Sequence, residues 1–261
     1  MSTLFSPSTN QFLIFVLVLS RLGGLFFTLP FLGSKVIPMR IRALLSFAVA
    51  LLVTPLYWDE PIDDPGNMLN LGVLVGREVV LGMALGLGIL ILFAGMQLTG
   101  QIIGQMSGMQ LADIVNPNTQ ESASVFSQLL DLITLVAFLT IGGHRQIVQA
   151  LLDTFQWMPP GQVTISSGIV TALTEVTTQS FILGIRAAAP IMTALLLSIL
   201  VMGLISRTLP QLNVIAVGFS FNSMIMLVML SFSLGAAAWL FQDEAENAIQ
   251  IVRNSILSIP K

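Results

Sequence analysis

Apolar positions along this 261-residue chain fall into long runs: 11–32, 41–58, 69–95, 123–142, 181–206 and 212–241. Three charge-free stretches, 79–112, 187–206 and 208–242, hold 34, 20 and 35 residues. About 20 apolar residues in a helix cross a bilayer. The pattern therefore predicts an all-α, integral membrane-type subunit with about six hydrophobic, interrupted helices. Each run is bounded by Pro, Gly or charge, as helix ends should be. Pro30 and Pro38 bracket the loop after the first run, and Tyr57-Trp58 and Trp239 stand where an aromatic belt sits. Residues 59–68 (DEPIDDPGNM) and 159–168 (PPGQVTISSG) read as breaks.

The segment 96–122, MQLTGQIIGQMSGMQLADIVNPNTQES, has neither Lys nor Arg and follows directly on an apolar run. Gln97, Gln101 and Gln105 recur every fourth residue, and so do Gly100, Gly104 and Gly108. On a helix these are two stripes, amides on one side and small residues on another. Small residues at this spacing let a second backbone approach closely. Gly72 with Gly76, and Gly82 with Gly86, form two further pairs of this kind. Beyond Gly108, Asp113, Asn116, Pro117 and Asn118 favour turns. Methionine is pliable enough to seal against irregular partners, so Met106 and Met109 with their neighbours form either a movable plug or an ordinary inter-helix loop.

Composition narrows the functions open to such a chain. It is 55% hydrophobic and 9% charged, with a mean hydropathy of +0.91, whereas a soluble domain carries nearer a quarter charged residues. With no Cys and a single His, His144, multi-His and Cys metal sites and thiol catalysis are excluded, and no metal or cofactor is expected. Net charge is −3 with no basic run, so nucleic acid is not an expected partner. No charged segment precedes Arg21, so the first run is expected to be permanent and not a removable signal. Loop 33–42 carries Lys35, Arg40 and Arg42, and loop 59–68 carries four acids; the positive-inside rule puts the first in the cytoplasm and the second outside.

Arg21, Arg77, Glu78, Asp131 and Arg186 lie inside the runs, where a lone charge costs at least about 3 kcal/mol. Adjacent on a helix, Arg77 and Glu78 point to different sides and cannot simply pair with each other. The charges serve a polar pathway, inter-subunit ion pairs, or pairing and snorkelling within the fold.

Several stretches resemble the FliR family of flagellar export proteins. They are SRLGGLFFTLPFLGSKVIPMRIR (20–42), GREVVLGMALG (76–86), GQIIGQMSGMQLADIVNPNTQ (100–120), GGHR (142–145), SFILGIRAAAP (180–190) and SRTLPQLNV (206–214). The resemblance runs through the whole chain in order. It implies a type III secretion export-gate subunit in the bacterial inner membrane and flagellar basal body. FliP-like and FliQ-like subunits would close with it into a helical hollow cone around the channel, parts of it raised toward the periplasm, with an FlhB-like protein in contact. It implies a FliP-like part over 1–175 and a FliQ-like hairpin and tail over 176–261. Unfolded export substrates would pass through, and membrane lipid would surround the base. Carried onto this sequence, the channel plug falls at about 105–122, including Gln105, Met106, Ser107, Gly108, Met109 and Gln110. Arg21, Arg77, Glu78, Asp131, Arg186 and Arg207 are the candidates for inter-subunit charges, and Gly72, Gly76, Gly82, Gly86, Gly100 and Gly104 for helix packing.

The expected role is a non-enzymatic channel subunit, because no nucleotide-binding G-x-x-x-x-G-K-[ST] loop occurs and no carboxylate pair stands out. The injectisome counterpart is the nearest alternative. An ion-coupled secondary transporter would show related halves, and the Gly/Gln-rich 96–122 stretch has no counterpart later in the chain.

Overall fold

The computed structural model describes residues 9–30, 37–60, 62, 66–108, 125–164, 167–209, 211 and 214–257. Among them there is no strand. In these described residues seven α-helices follow one another: α1 (Thr9–Thr28), α2 (Met39–Val53), α3 (Met68–Met106), α4 (Val125–Thr140), α5 (Gly143–Trp157), α6 (Ser167–Thr208) and α7 (Val214–Leu257). A short 3-10 turn, Thr54–Tyr57, extends α2.

Local chemistry accounts for the breaks. Pro38 stands at the N-cap of α2 with an extended backbone, φ −56° and ψ 138°, and accepts from the Ile41 N–H. Pro55, which has no N–H to donate, coincides with the switch from α-helix to 3-10 turn. Gly142, at φ +72°, separates α4 from α5, and the two helices meet at a 63° bend. That left-handed conformation disfavours any residue with a Cβ.

α1, α2 with its 3-10 turn, α3, α6 and α7 are each long and apolar enough to cross a membrane, and the bent pair α4–α5 makes a sixth candidate. This agrees with the all-α, roughly six-segment reading. The helices nevertheless outrun the apolar segments. α3, α6 and α7 have 39, 42 and 44 residues, or roughly 58 to 66 Å at 1.5 Å per residue, about twice the 30 Å of a hydrocarbon core. Polar residues prolong them: Gln97–Gln105 on α3, Thr171–Thr178 on α6, and QDEAENAIQIVRN on α7. These are mostly helix-tolerant residue types without proline, so the backbone continues where the apolar character stops.

The chain divides into two compact units, one built from Met1–Ile91, Gly142–Val176 and Glu246–Lys261, the other from Leu92–Ile141 and Thr177–Ala245. In the first, Ile14, Leu17, Leu22, Leu81, Ile89, Leu151, Phe155 and Val252 are buried. In the second, Leu92, Phe93, Leu130, Phe138, Leu183, Leu195, Met226 and Phe241 are. There Phe93 meets both Phe138 and Phe241 edge to face, with centroids 5.8 and 5.3 Å apart. Large apolar side chains also point outward, among them Leu132, Val136, Leu197, Leu204, Phe232 and Trp239. A surface this apolar requires lipid or other subunits around it.

Candidate functional site

In the first unit, α1 and α3 approach at glycines. A Cβ on Gly24 would strike the Val79 carbonyl, one on Gly82 the Arg21 carbonyl, and one on Gly86 the Thr28 side chain. This contact brings two charges together. Arg21 Nε donates to Glu78 Oε2 at 2.6 Å, and both side chains are fully buried. The guanidinium also donates through Nη1 to Thr154 Oγ1 at 3.2 Å and through Nη2 to the Met158 carbonyl at 3.0 Å. It lies 4.1 Å from the centroid of the Phe155 ring, a cation–π contact in a dry setting.

The other carboxylate oxygen, Glu78 Oε1, accepts from the Gly161 N–H at 2.8 Å. That N–H is presented by the turn Pro159-Pro160-Gly161-Gln162, closed by Gln162 N–H to the Pro159 carbonyl at 3.1 Å. Pro at the second position and Gly161 at φ +88° in the third are what a type II turn requires. Both oxygens of Glu78 are thus satisfied and the pair has no solvent access. Such a group binds nothing further; it locks α1, α3, α5 and the turn after α5 into one register.

The remaining charges are placed differently. Arg77, next to Glu78, is exposed. Arg186 has 63% of its side chain exposed and reaches Glu244 only at 4.0 Å. Arg207 is exposed in the last turn of α6, where a cation complements the helix dipole. Asp131, on α4, is half-buried and accepts from Gln97 Nε2 at 2.8 Å through Oδ2. Among the described residues no three His, Cys, Asp or Glu side chains cluster to hold a metal ion.

The small-residue series divide in the same way. Gly100 meets α4 backbone, since its Cβ would lie 2.5 Å from Ser127 Cα and N. Gly104 is buried. Gly95 and Gly184 face each other across α3 and α6, where Thr99 Oγ1 also donates to the Gly184 carbonyl at 2.9 Å. Gly72 and Gly76, by contrast, have open space where a Cβ would be.

Of the expected plug, the structure describes the entry. Gln101 and Gln105 are exposed, Met106 is half-buried, and Ser107 is buried with its hydroxyl donating to the Gly104 carbonyl at 3.0 Å. Gly108, at φ +79°, ends α3 in the left-handed conformation that closes many helices, its N–H donating to the Gln105 carbonyl at 3.1 Å. Met109, Gln110 and the rest of the segment to 122 lie outside the described residues.

Sequence reasoning did not single out Thr154, Phe155, Met158 or Gly161 as the surroundings of Arg21. The available signal was the PPGQ turn, which marks a fixed backbone donor near a helix end.

Residues 12–248 match the family described as bacterial export proteins, family 1. The flagellar biosynthetic protein FliR of Escherichia coli (strain K12) is 30% identical over 202 residues, 77% of this chain and 76% of that protein. The protein of the same name from Aquifex aeolicus (strain VF5) is 31% identical over 230 residues, 87% and 88% of the two chains. That of Bacillus subtilis (strain 168) is 24% identical over 251 residues, 94% and 95%.

Proposed function

Since the chain belongs to the bacterial export proteins, family 1, and within it to the FliR family, we propose that it is an export-gate subunit of the flagellar type III secretion apparatus. The observation that carries this reading is the family match over residues 12–248, which leaves only the chain ends outside it. In this reading the chain assembles with FliP-like and FliQ-like subunits and an FlhB-like protein into a hollow cone. The cone sits in the inner membrane at the basal body, partly raised toward the periplasm. Residues 1–175 are the FliP-like part and 176–261 the FliQ-like hairpin and tail.

One physical feature supports an assembled chain. Helices of roughly 58 to 66 Å exceed a hydrocarbon core about twofold, so much of their length needs protein or water around it. The outward apolar side chains on α4, α6 and α7 need cover from subunits or from lipid.

The gate itself is assigned to the segment that begins at Gln105. A seal must exclude ions yet yield to an unfolded chain of any sequence. Met side chains, Gly backbone and uncharged amides do this through adaptable apolar contact without a fixed charge. Displacement of the loop opens the channel, and other components supply the energy.

The test is the secreted-protein profile and motility of a strain lacking only this gene. Loss of hook and filament proteins from the medium, restored by the wild-type gene, is the expected result. Normal motility with loss of another secreted set would move the reading to an injectisome, and unchanged secretion of everything would overturn it.

A further inference from the structure

The polar side chains within α2 and its 3-10 turn are satisfied by their own backbone. Ser46 Oγ donates to the Arg42 carbonyl at 2.9 Å, and Thr54 Oγ1 donates to the Ala50 carbonyl at 2.6 Å. With Ala50 and Val53 these two residues make the buried side. There α2 rests on α1, where Phe47 meets Phe15 edge to face with centroids 5.4 Å apart. Between Arg42 and Trp58 every exposed residue is apolar, and none is glycine. Leu44, Leu52 and Leu56 point furthest out, at 68%, 76% and 73% exposed.

Length and ends match a bilayer. Fifteen α-helical residues and four in the 3-10 turn rise about 30 Å, the thickness of a hydrocarbon core. Charges stand only at the two ends. Arg40 is exposed, and Arg42 reaches back through Nη2 to the Ile37 carbonyl at 3.0 Å, away from the apolar stretch. Trp58 and Asp59, both exposed, follow the last turn. A helix that packs on a partner in a membrane relies on small residues or polar groups at the contact. The outward face of α2 offers neither glycine nor an unsatisfied hydroxyl, whereas α3 presents Gly72 and Gly76 with open space beside them.

The geometry points to α2 as the helix through which this subunit meets bilayer lipid. Phospholipid acyl chains cover Leu44, Leu52 and Leu56, Arg40 lies among the anionic phosphates of the cytoplasmic leaflet, and Trp58 sits at the opposite surface. Sliding the helix one way draws Arg40 into hydrocarbon and sliding it the other way draws in Asp59, so the two ends hold its depth. The inference rests on the chain being a membrane subunit of an assembly and not on what the assembly exports.

Because the chain has no Cys, Leu44→Cys, Ala48→Cys and Leu52→Cys can each carry a single nitroxide. The affinity-tagged chain is purified in complex with its partner subunits and reconstituted in vesicles of phosphatidylethanolamine and phosphatidylglycerol; wild-type complex taken through the same labelling gives the background. Against lipid, O2 reaches all three labels and a water-soluble nickel chelate does not. The ratio of the two accessibilities peaks at Ala48 and is several-fold lower at Met39→Cys and Trp58→Cys. A membrane-impermeant maleimide reaches Met39→Cys and Asp59→Cys from opposite sides. Low accessibility to both O2 and nickel at Leu44 and Leu52 means that a partner subunit covers the face, and it overturns the inference. Nickel accessibility as high as at the ends, or labelling of both ends from one side, overturns it too. Leu44 and Leu52 both point outward, so either one decides if the other variant does not accumulate. A strain without this chain that secreted normally would sink the export reading and leave the accessibility profile standing, so the two failures are distinguishable.

Discussion

Glu78 accepts from Arg21 with one oxygen and from the Gly161 N–H with the other, so a single carboxylate joins α1 to a turn more than 80 residues further along. The distances are 2.6 and 2.8 Å, and no water reaches either charge. Neutralising one partner leaves the other charged and dry. Glu78→Leu and Arg21→Met are each expected to lower stability by about 3–5 kcal/mol. The double variant should lose less than the sum, because no orphan charge remains. Denaturant unfolding of the detergent-purified chain, read as a double-mutant cycle, checks this; additive losses would mean that the two side chains do not act as a pair.

The glycine series gives a second, internally controlled prediction. At Gly184 a Cβ would meet the Gly95 carbonyl oxygen at 2.6 Å, so Gly184→Ala should separate α3 from α6 and cost about 1–3 kcal/mol. At Gly72 and Gly76 nothing stands within 4 Å, and Ala should stabilise the isolated chain by about 0.5–1 kcal/mol each. Melting temperatures of the three purified variants decide. If Gly76→Leu spares the purified chain yet lowers recovery of the complex, the exposed series serves a partner helix.

Asp153 and Arg253 offer the contrast to the buried pair. Their 2.7 Å contact bridges α5 and α7, but 41% of the arginine side chain and 18% of the aspartate are exposed. Asp153→Asn should change stability by no more than about 1 kcal/mol, with the difference shrinking further in high salt. A loss comparable to that at Glu78 would contradict this.

For the gate, shortening the segment 106–120 is expected to leave the complex intact while cells leak ions and grow poorly. Ion-dependent growth together with complex recovery provides the readout. A shortened variant that stays tight and exports normally would remove the plug assignment.

Much of the helical layout is legible in the residues, since proline, glycine and charge mark the breaks at Pro38, Gly142 and 159–164, while the switch at Pro55 falls inside the single run 41–58. Helix ends are less so. Apolar runs suggest ends at 95 and 241, but Gln, Ala and Glu continue a helix about as well as leucine does, so α3 reaches Met106 and α7 reaches Leu257. The charges inside the runs announce themselves by their cost, and the different sides of Arg77 and Glu78 follow from helix geometry. That Glu78 meets Arg21 does not follow, because tertiary contact between residues 57 apart depends on which helices become neighbours. Likewise Gly82–Gly86 and Gly72–Gly76 look alike as pairs, and only packing against α1 tells them apart.

The 57-residue separation of the Arg21–Glu78 pair has a consequence for biosynthesis. Arg21 emerges from the ribosome in the first apolar segment, long before its carboxylate exists. At 5–20 residues per second the wait is roughly 3 to 11 s, during which an arginine mid-helix carries an insertion penalty of about 3 kcal/mol. Until then the dozen Leu, Ile, Val and Phe residues of the first helix have to offset the unpaired arginine. The arrival of α3 with the counter-charge removes that cost. The order of translation thereby leaves the first helix to gain its full stability only after a later one has followed it.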